Sequence, residues 1–450
     1  MDIRWTLKVR NFANISEAEV EIAPILCFVG DNNSGKSYMM SLLWGILTVG
    51  KDIFPSKPSD SKSYKACEEW LCSNIENTAV IDERAQRLYL AWYNDLLAAN
   101  KSVLLKKIFN YSVEIGSLEI KDLRRKSALS IEWNNDGSRY SLTRSHIKFP
   151  AKGAGSECTR AELLRMNCYI CWNLLMQGIA APLYTPIIKG RRMGEPVYLP
   201  ASRTGFMLTF SSLTEASIKD KFALSEDGTD ISNLTLPYID FLQLITKFNT
   251  TDAPQSSLKP IAQFVELNMT KGAVVARKEY LPVITYMPQA LKKELPLHVS
   301  SSVVTEIAPI LLLLKSNIKF KSIIIEEPEA HLHPALQTQM ARLLIKLANA
   351  GYPVWITTHS DTIIQHVNNM IKLSEQKEGR QKELLDEFGY AKDDIIIPQN
   401  IQMFQFDHDA KEKTVISRLT SNKFGFVVPT FNDALDRIVK EIYAFQKEDD

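Results

Sequence analysis

The pattern of hydrophobic and polar positions divides the chain into an N-terminal and a C-terminal region with a long mixed region between them. Apolar and polar residues alternate over residues 5–29, and this period of two predicts short strands. The last of these strands, ILCFV, ends at Gly30, and a polar loop and an apolar helix over residues 38–47 follow it. The N-terminal region therefore has the order strand, glycine loop, helix.

From about residue 300 the pattern alternates between helical and strand periodicity. It predicts helices over 303–315, 334–349 and 361–370, separated by the strands SIIIEE and PVWITTHS. Residues 394–450 add the strands IQMFQFD and KTVISRL and a last helix from about residue 432. Alternation of this kind predicts an α/β fold with a mainly parallel sheet, to which the N-terminal strands add an antiparallel part.

The region between these two combines both periodicities. It has helical stretches near 63–108, alternating segments such as YSVEIGSLEI between about 110 and 148, and a helix over roughly 159–179. The stretch VYLPASRTGF (197–206) predicts a strand that runs into a turn. This mixture predicts an insertion of helices and strands.

Composition and charge are ordinary for a soluble globular protein and favour no particular partner. Hydrophobic residues make up 45% and charged residues 23% of the chain. The 53 Lys and Arg residues nearly balance the 52 Asp and Glu residues, so contact with nucleic acid or a membrane surface would need a local basic patch. The N-terminus lacks the features of a secretory signal. The apolar run Ile307 to Leu314 is far shorter than the ~20 residues that cross a bilayer.

The six cysteines are scattered, which fits a reducing compartment and predicts a cytoplasmic protein. Cys168 and Cys171 are the one closely spaced pair, and they lie in a stretch with apolar residues at helical spacing. A zinc site would need a second pair, and the sequence shows none. Burial in the core is therefore the expected role, with a metal or redox role as the alternative.

The loop GDNNSGKS at residues 30–37 matches the phosphate-binding pattern G-x-x-x-x-G-K-[S/T]. Glycines let the backbone curl so that its N–H groups point at phosphate oxygens, and the following helix adds its positive dipole. Lys36 is predicted to reach the β and γ phosphates and Ser37 to bind Mg²⁺. The alternative is a chance glycine turn before a helix. The residues predicted to bind nucleotide are Gly30, Asn32, Asn33, Ser34, Gly35, Lys36 and Ser37.

Such a loop requires an acidic residue at the end of a neighbouring strand, and Glu326 and Glu327 end the apolar run SIII. Glu326 is predicted to hold Mg²⁺ through water. Glu327 is predicted to orient or deprotonate the attacking water. Two adjacent acids are equally typical of a solvated strand end, so these two residues alone leave both interpretations open.

The residues that follow make the nucleotide interpretation specific. EEPEAHLHP (326–334) resembles the segment after the acidic strand in ABC-type ATPases of the RecF, SMC and OLD group, of the AAA_15 and AAA_21 type. ITTHS (356–360) matches the place where that group has a strand ending in Thr-His-Ser. The resemblance implies an ATPase head with ATP and Mg²⁺ as cofactors. It gives His359 the role of sensing the γ-phosphate, and a histidine merely hydrogen-bonded in a loop is the alternative.

The same group completes each site with a serine-rich signature from the opposite subunit. Ser300, Ser301, Ser302 and Glu306 resemble a degenerate signature, about 20 residues before the acidic strand. The resemblance implies obligatory pairing, because one chain cannot close its own site. Simple capping of the helix is the alternative. Arg203, in LPASR, is assigned either to the nucleotide or dimer interface or to a structural strand end.

On this basis the chain is divided into four stretches. Residues 1–50 and 291–450 are predicted to form the two parts of the ATPase head, 51–190 the mixed insertion, and 191–290 the remainder of the lobe with helical segments. OLD proteins attach a Toprim nuclease after the head, a fold of well over ~100 residues. Only 91 residues follow His359, and Asp407-His408-Asp409 is predicted to be a turn. We therefore expect no nuclease in this chain.

ATPases with these motifs and this size resemble components of bacterial anti-phage defence, such as AriA of PARIS and, less closely, PtuA of Septu. The resemblance implies a slow ATPase that forms a homo-oligomer, at least a dimer, with a hexamer as the larger alternative. It also implies a separate effector protein, such as a Toprim-type nuclease, and a phage-encoded trigger protein. The alternative is a DNA-binding repair ATPase of RecF type, for which the sequence offers only the basic clusters at 124–126 and 189–192.

Overall fold

A nine-stranded mixed sheet is the framework of the protein, as described by a computed structural model. The structure describes residues 1–450 except 75–77, 135–139, 151–157, 185–186, 189–190, 211–233, 252–256, 279–281, 292, 410–411, 424 and 446–450. The strands in chain order are β1 (Ile3–Phe12), β2 (Ile15–Glu21), β3 (Ile25–Gly30), β4 (Ala79–Val80), β5 (Ser117–Arg125), β6 (Ser130–Asn134), β7 (Ser141–Leu142), β8 (His146–Pro150), β9 (Ile187–Ile188), β10 (Arg191–Arg192), β11 (Val197–Leu199), β12 (Gly272–Arg277), β13 (Val283–Pro288), β14 (Leu295–Pro296), β15 (Ile323–Glu326), β16 (Val354–Thr357), β17 (Ile401–His408) and β18 (Thr414–Leu419).

The helices cover both faces of this sheet. In chain order they are α1 (Lys36–Thr48), α2 (Lys62–Cys72), α3 (Glu83–Phe109), α4 (Arg160–Met176), α5 (Leu236–Ile245), α6 (Lys259–Val265), α7 (Ser302–Lys315), α8 (Pro334–Asn349), α9 (Asp361–Ser374), α10 (Glu378–Phe388) and α11 (Pro429–Phe445). Residues 203–210 are also helical. Within the described ranges, no helix has the length and apolar character needed to span a membrane.

The order of strands in the main sheet is β11, β15, β16, β3, β17, β18, β2, β1, β5. The first five strands run parallel to one another. β17 and β18 are antiparallel, β18 and β2 are parallel, and β2, β1 and β5 form an antiparallel edge. The predicted α/β fold, with a mainly parallel sheet and N-terminal antiparallel strands, is therefore confirmed.

Successive residues of the central strands alternate between two hydrophobic cores. In β3, Leu26 and Phe28 belong to the first core, and Cys27 and Val29 belong to the second. The first core also contains α1, α3 and α4, and the second contains α7, α8 and α9. Because the parallel strands are apolar on both faces, each face needs its own layer of helices.

The region between α1 and β11 shares its core with the main sheet. β5 extends the sheet by antiparallel pairing with β1, and α3 and α4 pack in the same core as α1. A four-stranded sheet of order β4, β6, β8, β7 contributes Ile131, Ile147 and Phe149 to that core. The division of the chain into a head and an insertion stays a prediction, while the shared core is a property of the structure.

The helices predicted for the C-terminal region are confirmed with small shifts at their ends. α7, α8 and α9 begin within one residue of the predicted positions. α10 was not predicted, and among its residues only Leu385 is buried, so its apolar periodicity is weak. The prediction of a turn at 407–409 is wrong for Asp407 and His408, which end β17. Asp409 follows the end of β17, and its N–H donates to the carbonyl of Lys413 over 2.8 Å.

Cys168 and Cys171 lie on α4, and both side chains are buried in the first core. Burial raises the pKa of the Cys168 thiol to about 12, so this thiol stays protonated and unreactive. The prediction that the two cysteines pack in the core is confirmed.

Candidate nucleotide-binding site

Three neighbouring parallel strands end side by side at one edge of the sheet. In the strand register, Phe28 of β3 lies opposite Thr357 of β16, and Thr357 lies opposite Glu326 of β15. The loops that follow these strands therefore meet at their carboxyl ends, the position where open α/β sheets bind ligands. The glycine loop, the two predicted acids and His359 all belong to these loops.

The glycine loop has the backbone conformation of an anion-binding turn. Gly30, Asn33 and Gly35 have φ of 125°, 60° and 86°, values in the left-handed region that favours glycine. The Ser34 hydroxyl donates to the carbonyl of Asp31 over 2.7 Å, which closes the loop. Gly35 is the N-cap of α1 and has no side chain to occupy the first N–H groups of that helix. Those groups are consequently free to bind an anion.

Lys36 is buried at the base of this loop, with 6% of its side chain exposed. Its ammonium donates to the carbonyls of Gly30, over 3.0 Å, and Asp31. Burial lowers the pKa of Lys36 to about 8, and the charges of Glu327, Asp31 and Glu329 oppose that shift.

The other predicted ligands of the loop differ in exposure. The Ser34 side chain is buried, whereas Asn32, Asn33 and Ser37 are exposed. The hydroxyl of Ser37, in the first turn of α1, is thus accessible to a metal ion in solution.

Glu326 is buried at the end of β15 with 2% of its side chain exposed. One carboxylate oxygen accepts from the N–H of Ala201 over 3.1 Å, whereas Oε1 has no hydrogen-bond partner among the described residues. A buried carboxylate oxygen without a partner is unfavourable unless a ligand or water completes it. Mg²⁺ keeps several of its own waters and is held by one or two carboxylates. The Glu326 carboxylate therefore fits a metal-bound water.

Glu327 has a left-handed backbone with a φ of 43°. Its N–H donates to the carbonyl of Thr357 over 2.9 Å, and its side chain is half-buried. A non-glycine residue in this region carries roughly 1–3 kcal/mol of strain, which the surrounding contacts must hold in place. Strain of this kind is common where a side chain is held in a functional orientation.

His359 is half-buried beside the same loops. Its backbone N–H donates to the carboxylate of Glu329 over 2.5 Å. Burial lowers the pKa of His359 below 6.5 and Lys36 lowers it further, while Glu327 and Asp31 act in the opposite direction. The imidazole is therefore mainly neutral near pH 7 and can donate one hydrogen bond.

One residue of this network, Glu329, was not assigned a role from the sequence, and the role of Arg203 was left open between the nucleotide or dimer interface and a structural strand end. Glu329 holds the backbone of His359, and the third acid of EEPE was the signal that could have indicated it. Arg203 lies under the site rather than at its surface: its guanidinium donates to the carbonyls of Glu326, over 2.6 Å, and Glu327, over 3.0 Å. Nothing in the sequence near Arg203 indicates those partners.

The serine triplet lies at the start of α7. Ser301 is the N-cap and accepts from the N–H of Val304 over 3.4 Å, so it has the capping role given as the alternative. Ser301 and Ser302 are exposed, and Ser300 is half-buried. Glu306, one turn further along α7, is 1% exposed and forms an ion pair with Arg203. The assignment of Glu306 to a contact with a second subunit is therefore corrected, because its carboxylate is covered within its own chain.

The family model of the AAA ATPase domain AAA_15 matches residues 1–127 and 203–364, well over half of the chain. The chain belongs to the AAA_15 family of ATPase domains. The matched segments contain the glycine loop, both acids, the serine triplet and His359. No curated protein matches the sequence.

Three solved structures of SMC heads are similar to this chain at low identity. A SmcHead bound to the C-winged helix domain of ScpA is 10% identical, covers 92% of this chain and 98% of its own, and has a TM-score of 0.36. The SMC head domain from Thermotoga maritima is 10% identical, with coverages of 93% and 100% and a TM-score of 0.33. The Smc head with an extended coiled coil, bound to the C-terminal domain of ScpA from Pyrococcus furiosus, is 12% identical, with coverages of 98% and 100% and a TM-score of 0.36.

Replacement of Gly30 by alanine is expected to destabilise the protein more than an ordinary glycine replacement. A Cβ at residue 30 would lie 2.1 Å from the carbonyl oxygen of Phe406 in β17, so the loop or the strand must shift. Gly351 is the matched control, since its φ is +91° and no atom lies within 4 Å of an added Cβ. We expect Gly351→Ala to cost roughly 1–3 kcal/mol of unfolding free energy through backbone strain. Gly30→Ala should cost about 1–3 kcal/mol more through the steric conflict. Urea unfolding measures both, and equal losses would show that the loop clears β17 without penalty.

Proposed function

We propose that this chain binds ATP with Mg²⁺ at the carboxyl edge of β3, β15 and β16 and hydrolyses the ATP slowly. The observation that carries the proposal is the buried carboxylate of Glu326, at the end of a strand close to the glycine loop. Its Oε1 lacks a hydrogen-bond partner among the described residues. A bound magnesium ion would neutralise charge on the β and γ phosphate oxygens. Membership of the AAA_15 ATPase family supports the same conclusion.

Each residue of the edge has a proposed part in this chemistry. The N–H groups of the loop bind phosphate oxygens, and Lys36 exchanges its contacts with the carbonyls of Gly30 and Asp31 for contacts with the β and γ phosphates. Ser37 and Glu326 hold the metal, the latter through water. Glu327 orients or deprotonates the attacking water, and its constrained backbone supports that role. His359, mainly neutral near pH 7, donates a hydrogen bond to the γ-phosphate.

We further propose that two copies of the chain close each site between them. Ser301 and Ser302 are exposed at the N-terminus of a helix of 14 residues. Hydroxyls, N–H groups and the helix dipole at that point suit a γ-phosphate presented by a second copy. The homo-oligomer is at least a dimer, and a hexamer is the larger assembly that the family resemblance suggests.

The biological role that we propose is that of an ATP-dependent sensor and scaffold in bacterial anti-phage defence, in the cytoplasm. The chain would hold a separate toxic effector, such as a Toprim-type nuclease, and release it when a phage-encoded trigger protein binds. The support is the likeness of EEPEAHLHP and the serine triplet to the ATPases of the PARIS and Septu systems.

A DNA-binding role of the RecF type receives less support from the side chains. Two of the three basic residues at 124–126 are engaged within the chain: Arg124 forms an ion pair with Glu21 over 2.6 Å, and Arg125 forms one with Asp2 over 3.4 Å. Paired arginines present less positive charge to a phosphate backbone. A binding assay at several salt concentrations separates this role from the defence role, since the logarithm of the binding constant for DNA must fall linearly with the logarithm of the salt concentration.

Lys36→Ala should weaken ATP binding by roughly 10- to 100-fold, because charged hydrogen bonds to the phosphates are lost. Glu327→Gln should bind ATP as tightly as the native chain but lower turnover by about 10²- to 10⁴-fold, because the base is removed. Isothermal titration calorimetry measures the affinity for ATP, and the rate of phosphate release measures turnover. Lys107→Ala, which alters an exposed lysine paired with Asp52, is the control and should change neither. Unchanged ATP affinity in Lys36→Ala would end the nucleotide assignment.

Ser302→Glu should prevent ATP-dependent pairing without loss of folding. Glutamate suits the first turn of α7, yet its carboxylate would repel a γ-phosphate presented by a second copy. We expect Glu327→Gln to sediment as a dimer or larger in ATP and Mg²⁺, and the double variant with Ser302→Glu to remain monomeric. Ser302→Ala is the matched control and should pair more weakly but detectably. Pairing by the Ser302→Glu double variant would place the serine triplet outside the interface.

The defence role is tested in a bacterial host that expresses this gene with its neighbouring gene. We expect protection from at least one phage in a panel, and we expect the neighbour's product to co-purify with the native chain. Lys36→Ala should abolish protection, whereas Lys107→Ala should retain it. This role would be contradicted if every phage of the panel plated normally on cells with the native genes and no effector co-purified. The ATPase assignment would remain intact.

A further inference from the structure

A buried ion pair lies directly beneath the two acidic residues of the site. Arg203 and Glu306 are 0% and 1% exposed, and Thr204 also donates its hydroxyl to the Glu306 carboxylate. Burial of two charges costs several kcal/mol per ion, and the mutual attraction only about offsets it. A pair of this kind is therefore weak support for stability alone, and its remaining contacts indicate what else it does.

The other hydrogen bonds of the Arg203 guanidinium are to backbone rather than to side chains. Nη1 donates to the carbonyls of Pro200, over 3.1 Å, and Glu326, over 2.6 Å. Nη2 donates to the carbonyl of Glu327 over 3.0 Å. One planar group with a fixed set of donors thus holds the peptide groups of both acids.

These contacts act on the strained residue of the site. The backbone of Glu327 is fixed on its N–H side by Thr357 and on its carbonyl side by Arg203. Its φ of 43° is unfavourable for glutamate and persists only when neighbouring groups over-determine it. The backbone from which the Glu327 carboxylate projects is consequently held in part by the guanidinium.

Glu306 connects this arrangement to α7. It lies four residues after Ser302, one turn along the same helix face, and both belong to one helix of 14 residues. A displacement of the serine end of α7 therefore moves the carboxylate that orients Arg203. The helix that carries the exposed serines is thus connected to the backbone of the acids through Glu306 and Arg203.

We infer that Arg203 is a positioning residue for Glu327, and that its ion pair with Glu306 couples the serine end of α7 to the orientation of that carboxylate. The inference rests on the proposed ATPase function. It makes hydrolysis in one chain sensitive to whatever occupies the serine end of its own α7.

The test separates orientation from stability by comparing the buried Arg203 with Arg342, whose side chain is 12% exposed. Arg203→Lys keeps the charge but not the planar set of donors. Arg342→Lys makes the same change in an arginine of α8 that is paired with Asp394 over 2.9 Å and has no part in the proposed site. We expect Arg203→Lys to lower kcat by at least about tenfold with ATP affinity within about threefold of the native value. Arg342→Lys should lose comparable stability and keep its kcat.

Glu306→Gln is the second variant, and it carries the test if Arg203→Lys does not fold. It keeps the shape of the side chain and removes the charge that orients the guanidinium, so kcat should fall with little change in ATP affinity. This inference would be overturned if Arg203→Lys and Glu306→Gln both kept kcat within twofold of the native value while Glu327→Gln lost turnover. The proposed ATP hydrolysis would then still stand. A native chain that binds ATP without any turnover would overturn the inference together with the proposed hydrolysis.

Discussion

The parallel pairing of β3, β16 and β15 is the constraint on which the rest of the site depends. Because Phe28, Thr357 and Glu326 are in register, three loops that are distant in sequence leave the sheet at the same edge. A shift of one residue in either pairing would turn the apolar side chains of that strand toward the wrong core. The two cores, one on each face, therefore fix the register, and the register brings the loops together.

The elements that meet at and beneath this edge bury more charge than is usual for a protein interior. Lys36, Glu326, Arg203 and Glu306 are each at most 6% exposed. Each has hydrogen-bond or ionic partners, but the partners are mainly backbone carbonyls, backbone N–H groups and one another. A low local dielectric strengthens these contacts and also makes any unpartnered group unfavourable. The unpartnered Oε1 of Glu326 is thus one point at which the network is open to a ligand, and Oε2 of Glu329 is another.

Local backbone rules are broken where the chemistry is proposed. Gly30 and Gly35 adopt conformations that suit glycine, but Asn33 and Glu327 adopt left-handed conformations without being glycine. Eight other non-glycine residues in the described part of the chain share this conformation, so what distinguishes Glu327 is its contacts rather than its φ alone. The strain at Glu327 is held by Thr357 and Arg203, so the tertiary structure stabilises what the local sequence disfavours.

The sequence by itself determined the elements and the motifs that are local in the chain. Strand and helix periodicities predicted the parallel sheet, and the spacing within GDNNSGKS indicated a phosphate loop, because such features depend on neighbours a few residues away. Only the tertiary structure decided the partners of Arg203, which lie 103 and 123 residues further along the chain at Glu306 and Glu326. It also moved Glu306 from a predicted surface contact to a buried one. The physical reason is that a buried charge takes its partner from the elements packed around it, and that packing is set by the whole fold.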